Sequence, residues 1–254
     1  MVKKTKNMEA VSKLFEGWEE TLIWSCLQDV MGSIFVTEEE EPTCAMAQVG
    51  DFCFFAGIPN AELVSFWPKE RNAHFVIMVP QNEEWSRLIE ENYPQNSKKT
   101  ERYAIKKEAD VFDYDKLQQF VDALDKDYEI KIIDKTVYEQ CKQARWSADF
   151  IVNYPTYEQY QRLGLGFCIF HHNEIVAGVS SYTSYKEGIE IEIDTREDYR
   201  RKGLATICAA RLILECRDRK LYPSWDAQNM WSVHLAEKLG YHYSHTYRVY
   251  EVTR

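Results

Sequence analysis

The sequence predicts an α/β protein in two parts, and three observations carry that reading. Apolar residues recur at helical spacing in some stretches and alternate in others, within 254 residues that are 45% hydrophobic. That is enough chain to bury a core in each of two domains. Charge divides the halves: residues 1–127 hold 14 Lys+Arg against 24 Asp+Glu, a balance of −10, whereas residues 128–254 hold 17 of each. The second half also reads as a regular order, β-α-α-β-β-β-α-β-α-β. The expected boundary lies near residue 127, with no Pro/Gly/Ser-rich linker, so the two parts are expected to pack closely.

The elements follow in order. "MEAVSKLFEGWEETLIWSCLQDVMG" has helical spacing up to Gly32, and the acidic loop "TEEEEPT" comes after it. "CAMAQVGDFCFFAGIP" reads as two strands about a Gly-Asp turn, "AHFVIMVP" as a buried strand, "NEEWSRLIEENYP" as a helix ended by Pro94, and "TERYAIKKE" as a strand. A helix over "FDYDKLQQFVDALDKDYE" leads to the boundary. Beyond it, "YEIKIID" is a strand, and the run ending at "YEQYQRLG" is one or two helices interrupted by Pro155. "GFCIFHHNEIVAGVSSYTSY" is a hairpin with His171 and His172 in its turn, and "GIEIEIDT" is an alternating strand. A helix over Leu204–Arg219, a short strand in "YPSWDAQN", a helix over "MWSVHLAEKLG" and a final strand "YHYSHTYRVYEV" complete the chain.

Between the alternating strand and the Leu204 helix lies "DYRRKGLAT". The first N–H groups of a helix have no intrahelical partner, and with the helix dipole they form an anion site. Gly203 lets a backbone approach a ligand closely, and Arg200, Arg201 and Lys202 surround it with charge. The alternative is an ordinary helix start with solvated cations.

Several classes are excluded or disfavoured. No apolar run approaches 20 residues and no apolar segment follows the basic start, so a soluble, cytoplasmic protein without a membrane span is expected. The seven cysteines are scattered, with no C-x-x-C pair, which suggests neither a disulfide framework nor a metal site. The acidic balance opposes a nucleic-acid surface. Neither G-x-x-x-x-G-K-[ST] nor G-x-G-x-x-G occurs.

Two motifs together resemble a known family. "YRRKGLA" matches the Q/R-x-x-G-x-G/A acyl-CoA signature of the GCN5-related N-acetyltransferases (GNAT) at Arg200, Gly203 and Ala205. "NMWSVHLAEKLGY" is similar to their later N-x-x-A-x-x-L-Y-x-K-L-G-F segment. The resemblance covers roughly residues 128–254, and a fainter one extends over the full length to two-part bacterial acetyltransferases that include the zwittermicin-resistance type. It implies a mixed, mainly antiparallel sheet flanked by helices in 128–254, with an N-terminal α/β domain over 1–127 packed against it. It also implies acetyl-CoA as co-substrate, with no metal. The backbone from Arg201 through Lys202, Gly203, Leu204 and Ala205 to Thr206 would hold the pyrophosphate. The pantetheine arm would pair with Ile193, Asp194 and Thr195, and Asn229 would hold the cofactor, serve as a plain N-cap, or both.

The reaction so implied is direct attack of an amine on the thioester, which needs placement, a proton acceptor and support for the leaving thiolate. Glu190, Glu192 and Asp194 alternate with Ile189, Ile191 and Ile193, so the three carboxylates share one strand face. Glu192 is the first candidate to accept the proton and Glu190 the second; the alternative is a half-exposed strand with solvated carboxylates. The family's tyrosine position after Leu235 holds Ala236, which has no proton to give. Ser232, His234, Tyr241 and Tyr243 lie nearby in sequence. The expected acceptor is a small-molecule amine, cationic and partly apolar, received by an acidic first half whose aromatics Phe52, Phe54, Phe55, Phe66 and Trp67 would form a wall or a core. The alternative function is a non-catalytic acyl-CoA sensor or partner-binding module. Oligomeric state is left open.

Overall fold

The computed structural model describes residues 1–67 and 74–254. Along the chain run β1 (Lys3–Thr5), α1 (Met8–Ser12), α2 (Thr21–Leu27), β2 (Ser33–Val36), β3 (Cys44–Val49), β4 (Phe52–Gly57), α3 (Ala61–Ser65), β5 (Phe75–Pro80), α4 (Glu83–Asn92) and β6 (Ser97–Ile105). After them come α5 (Tyr114–Asp122), β7 (Tyr128–Ile132), α6 (Lys135–Cys141), α7 (Arg145–Ala148), α8 (Tyr157–Leu163), β8 (Gly166–His171), β9 (Glu174–Tyr185), β10 (Gly188–Thr195), α9 (Leu204–Arg219), β11 (Tyr222–Ser224), β12 (Asp226–Ala227), α10 (Met230–Leu239) and β13 (Tyr243–Thr253).

The chain forms two compact units, Met1–Arg102 with Thr246–Arg254, and Tyr103–His245. The division thus falls inside β6 and β13, whereas the sequence reading placed it at 127/128. The difference has a packing cause: Leu117 of α5 is 1% exposed and shares one core with Cys208, Leu212 and Ile213 of α9. A helix whose apolar stripe is buried there belongs to that unit.

In the first unit the strand order is β1-β2-β3-β4-β5-β13-β6; β1–β2, β2–β3, β3–β4 and β5–β13 pair antiparallel and β4–β5 parallel. The core gathers Met46, Phe55, Met78, Trp85, Ile89 and Tyr250. The expected first helix is split, because α1 passes into a 3-10 turn at Lys13–Phe15 and α2 restarts only at Thr21. Of the strand expected over "AHFVIMVP", Ala73 lies outside the described residues. Phe52, Phe54 and Phe55 are buried, and Phe66 and Trp67 pack partly buried against the core, so these aromatics are interior rather than a wall open to solvent. Glu38–Glu41 are exposed.

The second unit carries the sheet β11-β10-β9-β8-β7, antiparallel except for β10 beside β11, with β12 pairing the end of β6. This is the mainly antiparallel sheet flanked by helices that the motifs implied. Phe167, Ile169, Ala177, Val179, Ile189 and Ile191 face α9 and its core. Cys168, Gly178 and Ser180 alternate with them and so face the other side, where α6, α7 and α8 pack. There the Cys141 and Cys168 sulfurs are 3.8 Å apart, and the Tyr160 hydroxyl lies 2.9 Å from Ser180 Oγ. All seven cysteines are buried free thiols. No helix among the described residues is long and apolar enough to cross a membrane.

Candidate active site

The site begins in β10, whose two faces differ as the alternation requires. Ile189 and Ile191 are buried in the α9 core and Ile193 packs against it. Glu190, Glu192 and Asp194 stand opposite Thr183, Ser180 and Gly178 of β9, on the α6–α8 side. Their exposure is graded: Glu190 is 6% exposed, whereas Glu192 and Asp194 are half-buried. Burial pushes the nearby Tyr185 phenol up, and the charge of Glu190 adds to that.

Between Glu190 and Ile191 the β9 register shifts, with Tyr182 the extra residue, and Asn153 Nδ2 donates to the Tyr182 carbonyl at 2.9 Å. A bulge disrupts the ladder and increases local twist. At the same level β10 loses its other neighbour. The parallel ladder to β11 runs from Gly188–Tyr222 only to Glu190–Ser224, after which β12 turns away to pair with β6. The edge of Ile191–Thr195 on that side therefore has no ladder partner among the described residues. Within this segment Thr195 Oγ1 is buried with no hydrogen-bond partner.

The chain then makes a 3-10 turn at Glu197–Tyr199 and enters α9 through two left-handed residues, Arg201 at φ 63° and Gly203 at φ 82°. Gly203 is the N-cap and supplies no capping side chain, so the N–H groups of Leu204, Ala205 and Thr206 are the uncapped first donors of a 16-residue helix. A Cβ placed on Gly203 would meet nothing within 4 Å. Leu204 and Thr206 side chains are buried and Ala205 is half-buried, which leaves their backbone as the part that can bind. The cations differ in how they are engaged. Arg200 Nε donates to the Thr195 carbonyl at 3.2 Å, and its Nη2 lies 3.7 Å from Asp194 Oδ1, so it ties the turn to the strand. Lys202 Nζ sits 4.2 Å from the Tyr199 ring centre, and Arg201 projects as an exposed cation.

Asn229 caps α10, its Oδ1 accepting from the Ser232 N–H at 3.0 Å. Ala236 is fully buried in the core, so that position offers neither a proton nor space at the surface of the site. At the far end of the same helix Lys238 Nζ lies 3.4 Å from Thr206 Oγ1. His172 and Asn173 form the β8–β9 turn, whereas His171, expected in that turn, ends β8 paired with Glu174, its Nδ1 lying 2.7 Å from the Tyr199 hydroxyl, and His234 is exposed. Ser232, half-buried, accepts a hydrogen bond from Trp225 Nε1 at 2.9 Å. No spacing in the sequence announces that contact. Among the described residues no group of three His, Cys, Asp or Glu side chains is placed to hold a metal ion.

A strand that outruns its parallel neighbour leads here to a glycine turn with uncapped helix donors and open space above it. The GNAT acetyltransferase family model matches residues 12–250, and the chain belongs to that family. The match reaches well beyond the half of the chain in which the two motifs lie. A solved GCN5-related N-acetyltransferase-like protein from Streptococcus suis 89/1591 is 47% identical, with a TM-score of 0.91 over 96% of this chain and 98% of that one. The uncharacterized N-acetyltransferase YdfB of Bacillus subtilis (strain 168) is 36% identical over 94 residues, which span 36% of each protein. A GCN5-related N-acetyltransferase from Kribbella flavida shares the fold at 13% identity, with a TM-score of 0.52 over 98% of this chain and 96% of that one.

Proposed function

We propose that this chain transfers an acetyl group from acetyl-CoA to a primary amine of a small cationic molecule. The observation that carries the reading is the end of the β10–β11 ladder at Glu190–Ser224, beyond which β10 runs on into the open Gly203 turn. The thioester supplies an acyl carbon and a thiolate leaving group. Ile193, Asp194 and Thr195 align the pantetheine arm as an added strand, with the buried Thr195 hydroxyl available to it. The N–H groups from Arg201 to Thr206 hold the pyrophosphate, with Arg201 and Lys202 adding charge. Asn229 keeps its side-chain N–H groups for the arm while its oxygen caps α10.

Glu192 takes a proton from the bound ammonium before attack, directly or through water, which frees the amine lone pair. It shares the carboxylate face with Glu190, yet lies closer to solvent. Glu190 is the second candidate. The three carboxylates, and the −10 balance of residues 1–127, support a cationic acceptor. Thiol release with a panel of small amines tests the reading. Glu192→Gln is expected to lower turnover by about 10- to 100-fold, most at low pH, with little change in acetyl-CoA affinity. The acceptor KM should rise with salt as screening weakens attraction. Acetyl-CoA binding without thiol release for any amine would favour a sensor instead, the reading to which the buried Ala236 lends weight.

A further inference from the structure

Ser232 has its acceptor side occupied and its donor side open. Its Oγ takes the Trp225 indole N–H at 2.9 Å, while its backbone N–H goes to Asn229. A hydroxyl carries one donor hydrogen, and that of Ser232 has no acceptor among the described residues. Helical serines commonly turn this hydrogen back to a carbonyl one turn earlier, as Ser86 of α4 does to the Asn82 carbonyl at 3.2 Å. Ser232 does not. The reason is Trp225, which is 4% exposed and holds the oxygen from the side.

Trp225 stands between Ser224, the last residue of the β10–β11 ladder, and Asp226, where the chain leaves that ladder. The serine is therefore pinned beside the place where the two strands part. It also lies one helical turn before the buried Ala236, on the same face of α10.

We infer that the Ser232 hydroxyl, fixed by Trp225, donates a hydrogen bond to the thiolate sulfur as it leaves, a role that rests on the coenzyme A reading of this site. The amine lone pair forms the C–N bond and the C–S electron pair goes to sulfur. The proton left on the newly bonded nitrogen passes to water, and water later protonates the sulfur. Ser232 keeps its own proton throughout, because an alkoxide is far more basic than a thiolate. Trp225 is a positioning residue; Ser232 touches the reacting atom.

The test is the thiol pKa of bound coenzyme A, read from the ultraviolet thiolate band against the desulfo-coenzyme A complex, a measurement that needs no acceptor. Wild type should bind the thiolate with a lowered pKa. Ser232→Ala should raise it by about one unit, since a hydrogen bond to a charged group is worth roughly that much. Ser232→Thr should restore it, and Trp225→Phe should fall between, because the released serine can turn to the backbone. Equal thiol pKa values in wild type and Ser232→Ala, with coenzyme A bound to both, overturn the role of Ser232 alone. Absence of coenzyme A binding by wild type overturns the site reading as well.

Discussion

In the first unit β4 keeps parallel β5 for four residue pairs, Phe52–Ile77 to Phe55–Pro80, and the end of the strand is then closed. Gln81 N–H donates to the Phe55 carbonyl, Gln81 Oε1 accepts from the Gly57 N–H at 2.9 Å, and Trp85 Nε1 donates to the Gly57 carbonyl at 2.9 Å. In the second unit β10 keeps parallel β11 only as far as Glu190–Ser224, and Ile191–Thr195 run on beyond that ladder. Both units pass from antiparallel strands through a helix to a parallel strand. They differ in whether side chains fill the space where the parallel pair separates. The helices follow suit, since α3 has five residues capped by the Asn60 side chain, whereas α9 has 16 and a glycine cap. A shared strand order therefore does not by itself make a site.

The two glycines give the largest contrast. Gly57 and Gly203 have the same φ of 82°, but a Cβ on Gly57 would lie against the Thr43 carbonyl oxygen, whereas one on Gly203 meets open space. Gly203→Glu is expected to weaken acetyl-CoA binding by more than about 100-fold through bulk and like charge, while costing about 1–2 kcal/mol of stability for the left-handed backbone. Gly57→Ala should cost about 3 kcal/mol or more with no ligand involved, because the strand end must also shift. Calorimetry and denaturant unfolding check both. Unchanged acetyl-CoA affinity in Gly203→Glu would remove the proposed site, and a fully stable Gly57→Ala would show that the first unit is not closed there.

A smaller effect tests the closure itself. If Gln81 and Trp85 occupy the place that remains open in the second unit, coenzyme A should bind with a stoichiometry of one per chain. Gln81→Leu should lower stability by about 1–3 kcal/mol, the range for leaving a part-buried Gly57 N–H without its partner, and leave that stoichiometry unchanged. Two bound molecules per wild-type chain would break the contrast.

The open unit was far more legible than the closed one. β10, its turn and α9 lie in one contiguous stretch, so alternation, the Arg-Arg-Lys-Gly run and the helical pattern could be read together. β1 could not be read, being three residues with exposed Lys3 and Lys4, and β2 is four wholly buried residues that show no period. The buried state of Phe52, Phe54 and Phe55 depends on the neighbours of β4 in the sheet, which no local pattern reveals. In the second unit the carboxylate face followed from parity. The deeper burial of Glu190 did not, since it depends on the β9 bulge and the helices over that face. The Trp225–Ser232 contact arises from the docking of α10, a tertiary event with no spacing signal.

The smallest expected effect separates the units by their buried hydroxyls. The second unit holds Tyr138, Tyr154, Tyr160, Tyr185, Tyr222 and Tyr241, each raised by burial, Tyr154 to about 12, while in the first unit the raised phenols are Tyr93 and Tyr250. A raised folded pKa means that the fold favours the protonated phenol. That stability is fully present below the unfolded value near 10 and is lost as pH rises through the folded value. Buried thiols act in the same direction, Cys26 in the first unit, pushed up to about 12, and Cys168, Cys208 and Cys216 in the second. The second unit holds more of both kinds of group, so its protection against hydrogen exchange should fall first above about pH 10. Tyr154→Phe sharpens the point, since the hydroxyl bonds Ser181 Oγ at 2.8 Å and lies 3.1 Å from Ser184 Oγ. The variant should lose about 1–2 kcal/mol at neutral pH and show a shallower loss on the alkaline side, because one ionising group is gone. Equal alkaline loss in the two units would break the contrast, and an unaltered slope in Tyr154→Phe would show that this phenol does not carry it.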